Sequence, residues 1–156
     1  MSVISVRRAG PGDRPALVGF QVAMALETEG RKLDRQVVES GVEGIFTAPS
    51  RGFYLVAETE GKPVGSLMIT TEWSDWRAGT FWWIQSVYVE PEWRKRGVFR
   101  ALYRETTAMA AAADGVCGIR LYVEKGNRPA REVYARLGMV ESGYRLYEVD
   151  WGVAEG

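Results

Sequence analysis

A mixed α/β fold (α+β by some schemes) is what this sequence predicts, and three observations carry that expectation. Runs rich in β-branched and aromatic residues follow one another closely between residues 53 and 89, as consecutive strands do. Beyond residue 90 helical and strand patterns alternate, and the two arrangements together point to a mixed sheet. The composition is that of an ordinary globular domain, with 156 residues, 46% hydrophobic and 26% charged, enough to bury a core without disulfides or metals.

The elements follow in order. Residues 3–8 read as a short first strand. Asp13, after a Pro-Gly turn, is placed to cap a helix carrying Leu17, Phe20, Val22, Met24 and Leu26. Residues 27–32, Glu-Thr-Glu-Gly-Arg-Lys, read as a polar loop. Asp34 is the expected cap of a second helix bearing Val37, Val38, Val42 and Ile45, which ends before Pro49. Strands are expected over 53–58 and 64–71, joined at Glu60-Gly61-Lys62-Pro63 as an antiparallel hairpin. Polar and glycine residues punctuate 73–80 before a third strand over 81–89. After Pro91 a helix over 98–113 aligns Val98, Leu102, Met109 and Ala113 on one stripe. Alternation predicts a strand over 118–123, and apolar residues at 130, 133, 134 and 137 predict a helix over 127–137, stopped by Gly138. A last strand is expected over 144–151.

Composition excludes several chemistries. There is no histidine and a single cysteine, which removes Ser-His-Asp and Cys-His hydrolases and His- or Cys-based zinc sites. Acid-base work must fall to carboxylates, tyrosines, lysines or water. Twenty basic residues balance twenty acidic ones, so no overall field favours nucleic acid or anionic membrane. The first residues do not read as a signal peptide, no stretch has the length of a membrane span, and Cys117 has no partner for a disulfide; the expected setting is cytoplasmic.

The most informative stretch runs from Gln85 to Leu102, where a strand ends, a basic turn follows and a helix opens at Gly97. A helix start leaves amide N–H groups without backbone partners, and the dipole makes that end partly positive. Phosphates suit such a place, Gly97 leaves room for close approach, and Arg94, Lys95, Arg96 and Arg100 add charge. Taken alone, the turn fits an ordinary solvated basic loop equally well.

Arg94-Lys95-Arg96-Gly97-Val98-Phe99 resembles the signature of the GNAT superfamily of acyl-CoA N-acetyltransferases: Arg or Gln, two residues, Gly, one residue, then Gly or Ala. Phe99 departs from it at the last position, and its ring must turn away from the phosphates. Asn127 through Met139 is similar to a second pattern of that family, Asn, two residues, Ala, three residues, Tyr, two residues, Leu-Gly and an apolar residue, with Met139 where Phe is commonest. The resemblance covers most of the chain and is strongest from 81 to 139.

That resemblance implies a single N-acetyltransferase domain over 1–156, with a mostly antiparallel sheet of six or seven strands, about four helices, and a strand splay that binds CoA. It implies acetyl-CoA as acyl donor, no metal, and direct transfer to a primary amine in a ternary complex. Main-chain groups of Val87, Tyr88 and Val89 are then expected to bond the pantetheine arm as a substitute strand. Residues Arg94, Lys95, Arg96, Gly97, Val98, Phe99 and Arg100 surround the pyrophosphate, whose amide donors run from Arg96 to Arg100.

By position alone Tyr134 reads first as a core aromatic on the stripe with Ala130, Val133 and Leu137; the resemblance makes it the expected catalytic residue, since a phenol near the sulfur can protonate a leaving thiolate. Asn127 either bonds CoA or caps its helix, and the two roles are compatible. Around the acceptor the resemblance implies Glu27 and Glu29 as carboxylates attracting a cationic amine, Gln85 orienting a water, Trp76 as a pocket wall and Tyr144 closing the opposite side. Glu72 and Asp75 lie on segments of the same kind, and each carboxylate also fits a plain surface charge. Of Trp73, Trp76, Phe81, Trp82 and Trp83, most fit core or dimer contacts.

Cys117 reads as a small buried hydrophobe rather than a nucleophile. The acceptor is a small-molecule amine or a protein amino group, and dimerisation, common in the family, is compatible with the tryptophans. A non-catalytic acyl-CoA-binding regulatory module and a purely structural interaction domain are the alternatives.

Overall fold

From the amino end the elements are β1 (Ser5–Arg8), α1 (Arg14–Glu29), α2 (Arg35–Thr47), β2 (Gly52–Thr59), β3 (Lys62–Ser74), β4 (Gly79–Val89), α3 (Val98–Ala112), β5 (Val116–Leu121) and α4 (Arg128–Arg136). The computed structural model describes residues 2–152; residues 1 and 153–156, part of the expected 1–156 domain, lie outside the described residues. The chain divides into two compact units, one ending at Leu121 and one beginning at Tyr122. No helix among the described residues is long and apolar enough to cross a membrane.

In the first unit the five strands form one sheet in the order β1-β2-β3-β4-β5, antiparallel except for the parallel pair β4–β5. Side chains alternate across a strand, so β2 feeds two cores. Tyr54 and Val56 point to α1 and α2, where they meet Leu17, Val18 and Val42. Leu55 and Ala57 point the other way and join Leu67, Ile69, Trp82 and Ile84 against Val98, Leu102 and Ala110 of α3. The buried stripe of α3 is Val98, Leu102, Thr106 and Ala110, whereas Met109 and Ala113, expected on that stripe, pack at its margin. Thr106 is tolerated there because its hydroxyl donates to the carbonyl of Leu102, 2.8 Å away.

Further expectations are corrected. Residues 27–29 are the last turn of α1 rather than a loop; the helix continues past its apolar stripe until Gly30, whose left-handed φ of 61° lets its N–H close on the carbonyls of Ala25 and Leu26. The last strand, over 144–151, does not form, so the sheet of the described residues has five strands instead of six or seven. A strand exists only through a ladder partner, and this segment of the second unit pairs with none among the described residues, despite its β-prone Tyr144, Tyr147, Val149 and Trp151. Cys117 is exposed rather than buried, being on β5 at the margin of the sheet.

Asp34 caps α2 as expected, accepting from the Gln36 N–H at 2.9 Å. Asp13 does not cap α1 with its side chain; its carboxylate takes the Gly10 N–H at 2.7 Å and both terminal nitrogens of Arg7 at 2.7 and 2.9 Å. The Arg7 guanidinium holds the Asp13 carboxyl below the usual carboxylate range. A carboxylate with a depressed pKa stabilises the fold above its unfolded value and loses that contribution as pH falls through the folded one. Asp13→Asn is therefore expected to cost about 1 kcal/mol at neutral pH, the net worth of a charge-assisted hydrogen bond beside a partly exposed cation. In paired thermal melts the deficit should shrink as the pH falls below about 4.

The second unit holds α4, which Asn127 caps by accepting the Ala130 N–H at 3.2 Å. It ends at Gly138, φ 92°, where the Met139 N–H returns to the carbonyl of Tyr134.

Candidate active site

Two features of β4 set the geometry of the first unit's site. The parallel ladder to β5 runs only from Thr80–Val116 to Ile84–Leu121, while β4 continues to Val89. From Gln85 onward β4 is paired to β3 on one side and, among the described residues, to no strand on the other. A bulge in the β3–β4 register falls at the same place. Ser86 and Val87 together face Leu67, with Ser86 at φ 53°. Main chain beyond Ile84 thus borders an edge that no described strand pairs. β5 ends at Leu121, where its ladder to β4 also ends, so β4 outruns its neighbour; the bulge carries no residue pattern that announces it.

Beyond Val89 the chain makes a short 3-10 turn, Pro91–Trp93, and then the turn 94–97, in which Lys95 (φ 61°) and Gly97 (φ 82°) are left-handed. Gly97 is the N-cap of α3 and offers no side chain to the helix start. As at any helix start, the first amides of α3 precede its first turn-closing bond, which is Ala101 N–H to Gly97 O, 3.0 Å. A Cβ placed on Gly97 would meet no protein atom within 4 Å, so the space over the turn is open.

The Phe99 ring packs against the core beside α3 and lies 6.2 Å from that of Tyr103. Lys95, Arg96 and Arg100 are exposed, with the Arg96 guanidinium 5.1 Å from the centre of the Trp93 ring. The turn therefore combines a glycine N-cap, a helix start and cationic side chains, which suits a diphosphate.

Arg94 is engaged differently. Its Nε donates to the carbonyl of Val89 at 2.9 Å, and its Nη2 meets Glu27 at 2.7 Å. The hydroxyl of Tyr88 donates to the other Glu27 oxygen at 3.3 Å. Burial, followed by the charges of Glu27 and Glu90, pushes the Tyr88 phenol up. Glu27 thus faces β4 and the turn, and Glu29 is exposed at the end of α1.

The face of the sheet beyond α1 and α2 carries Gln85, which donates to the Thr70 hydroxyl at 2.5 Å. Beside it Glu72, Trp83, Phe81 and Arg120 form a cluster that nothing adjacent in the chain announces. Glu72 accepts from Arg120 at 2.7 Å and from the Trp83 indole at 3.3 Å, and the Arg120 guanidinium lies 3.6 Å from the centre of the Phe81 ring. Register brings these residues together, since Glu72 opposes Phe81 and Trp83 opposes Arg120. Trp82 is core, whereas Trp73 and Trp76 are exposed, Trp76 at 88% on the β3–β4 turn.

In the second unit Tyr134 is half-buried and burial pushes its phenol above the ordinary value. Asn127 spends its side-chain oxygen on the helix cap. Tyr144 is exposed.

A family model described as the acetyltransferase (GNAT) family matches residues 21–139. Among solved structures, the chain is similar to a possible acetyltransferase from Clostridium difficile 630, with 39% identity, 95% of this chain and 97% of that one covered, and a TM-score of 0.88. A predicted acetyltransferase from Clostridium acetobutylicum with acetyl-CoA shares the fold at 18% identity, 94% and 96% coverage and a TM-score of 0.74. So does the aminoglycoside N-acetyltransferase AAC(6')-Iy in complex with CoA, at 14% identity, 97% coverage of both chains and a TM-score of 0.79. No curated protein matches the sequence.

Proposed function

The chain belongs to the GNAT family of acetyltransferases, and from that premise we propose that it transfers acetyl from acetyl-CoA to a primary amine, by direct attack in a ternary complex. The observation that supports this most is the continuity of β4 with the turn: an unpaired strand edge leads straight into an amide-rich, cationic helix start. Acetyl-CoA, when bound, supplies a thioester whose C–S bond breaks as a C–N bond forms to the amine. The edge at Val87, Tyr88 and Val89 lies along the amide-bearing pantetheine arm, and the amides from Arg96 to Arg100, with Lys95 and Gly97 shaping the turn, hold the diphosphate. The Asn127 side-chain nitrogen remains to bond the donor while its oxygen caps α4.

Tyr134 gives its phenolic proton to the departing sulfur. The amine's proton leaves through a water oriented by Gln85, with Glu29, Trp76 and Tyr144 bordering the acceptor. The whole chain then works as one N-acetyltransferase domain, in the cytoplasm, on a small-molecule amine.

An acceptor screen tests this. Purified protein, acetyl-CoA and a panel of polyamines, aminoglycosides, amino acids and aromatic amines are followed by thiol release. At least one amine is expected to be acetylated. Binding of acetyl-CoA with no acetylation of any amine or peptide amino terminus would instead make the chain a non-catalytic acyl-CoA-binding module. Cys117→Ala is expected to keep wild-type turnover in the same assay, because direct transfer uses no acetyl-cysteine; loss of turnover would overturn the ternary-complex reading.

A further inference from the structure

A left-handed residue other than glycine persists only where its surroundings over-determine it, and Lys95 is such a residue in the middle of the donor turn. What surrounds it is Arg94. That side chain reaches back to the Val89 carbonyl at 2.9 Å and across to Glu27, a residue 67 positions earlier in the chain. Glu27 is held in turn, one oxygen on Arg94 and the other on the Tyr88 hydroxyl. The Arg94 guanidinium also sits 5.5 Å from the centre of the Tyr88 ring, and that ring lies 5.2 Å from Phe20 of α1. The end of α1, the free edge of β4 and the start of the turn therefore meet at one carboxylate.

We infer that Glu27 is a positioning residue of the acyl-donor site: it fixes Arg94, and through Arg94 the left-handed turn that presents the amides of residues 96–100. The inference rests on the reading of that turn as the diphosphate site. It gives Glu27 a different task from attracting the acceptor amine, since both its oxygens already serve groups of the donor side. A diphosphate binds such a row of amides well only if they are already aimed, because ordering a loose turn costs affinity.

The test is a double-mutant cycle on acetyl-CoA affinity, measured by calorimetry without any acceptor, on wild type, Glu27→Gln, Arg94→Gln and the double variant. Glu27→Gln keeps an acceptor for the Tyr88 hydroxyl and removes the negative charge that faces Arg94. It is expected to raise the dissociation constant about fivefold, the scale of a partly exposed ion pair, and to add nothing further in the Arg94→Gln background. With an amine from the acceptor screen, the KM for acetyl-CoA should rise while the KM for the amine holds.

Should Glu27→Gln lower the melting temperature appreciably, Arg94→Lys carries the same test: it keeps a cation for Glu27 and loses the planar fork that also bonds Val89. Equal affinity in wild type and Glu27→Gln, full additivity of the two substitutions, or a rise confined to the amine's KM would each overturn the inference while leaving the donor reading intact. Wild-type protein that binds no acetyl-CoA would remove the donor reading itself, and the inference with it.

Discussion

Tyr134→Phe is expected to lower kcat by roughly a thousandfold, in the middle of the range for a positioned general acid, while the dissociation constant for acetyl-CoA stays within a factor of about two. The substitution removes one oxygen from a half-buried ring and keeps the ring itself. The physical argument is one of proton affinity. A thiolate leaving group has a conjugate acid with a pKa of about 8.5, and a phenol ordinarily near 10 holds its proton at neutral pH until the sulfur demands it. Burial moves the Tyr134 phenol further up, which keeps the protonated form dominant to higher pH.

The wild-type rate should therefore show no fall between pH 7 and 9 attributable to loss of this proton. Steady-state thiol release across that range, with both proteins at saturating acetyl-CoA, provides the check. A Phe variant with unchanged kcat would show that Tyr134 is a packing residue and leave the sulfur to another donor.

Gly97→Val is expected to weaken acetyl-CoA binding by about a hundredfold or more, through two separable effects. The residue stands at φ 82°, where a β-branched side chain is strained by roughly 1–2 kcal/mol, so the free protein should melt a few degrees lower. That loss belongs to the fold. The larger effect belongs to the site, because the new side chain would project into the open space over the amide row. Melting curves recorded with and without acetyl-CoA separate the two: strain lowers both, whereas the blocked site removes the stabilisation by ligand, about 2.7 kcal/mol at a hundred times the dissociation constant in the wild type. A Gly97→Val protein that melts lower and keeps the full ligand-induced shift would place the diphosphate elsewhere.

The helix starts were legible because their causes are local. Asp34 and Asn127 cap α2 and α4, and the order of the first five strands and four helices follows from periodicity and turns. The basic turn that opens α3 was legible for the same reason, since Gly97 and its basic neighbours lie side by side in the chain. Glu27 was not. Its residue type and its place after an apolar stripe suggested a loop at the acceptor, and nothing adjacent in the chain points to Arg94 or Tyr88 as its partners. The Glu72–Arg120–Trp83 cluster was hidden in the same way, because its members come from three strands and meet only through register.

The expected last strand shows the converse. Residues 144–151 have every local mark of β structure, yet among the described residues no neighbouring strand is there to complete it.

By itself the sequence determined the order of elements through α4, the family, and the basic glycine turn that opens α3, all of which depend on residues within a few positions of one another. Only the tertiary structure decided that β4 bulges at Ser86 and outruns β5, that the Phe99 ring turns to the core, and that Glu27 closes on the turn. Those outcomes are set by which distant segments pack together, and the free energy of such contacts is not written in the local pattern of either partner.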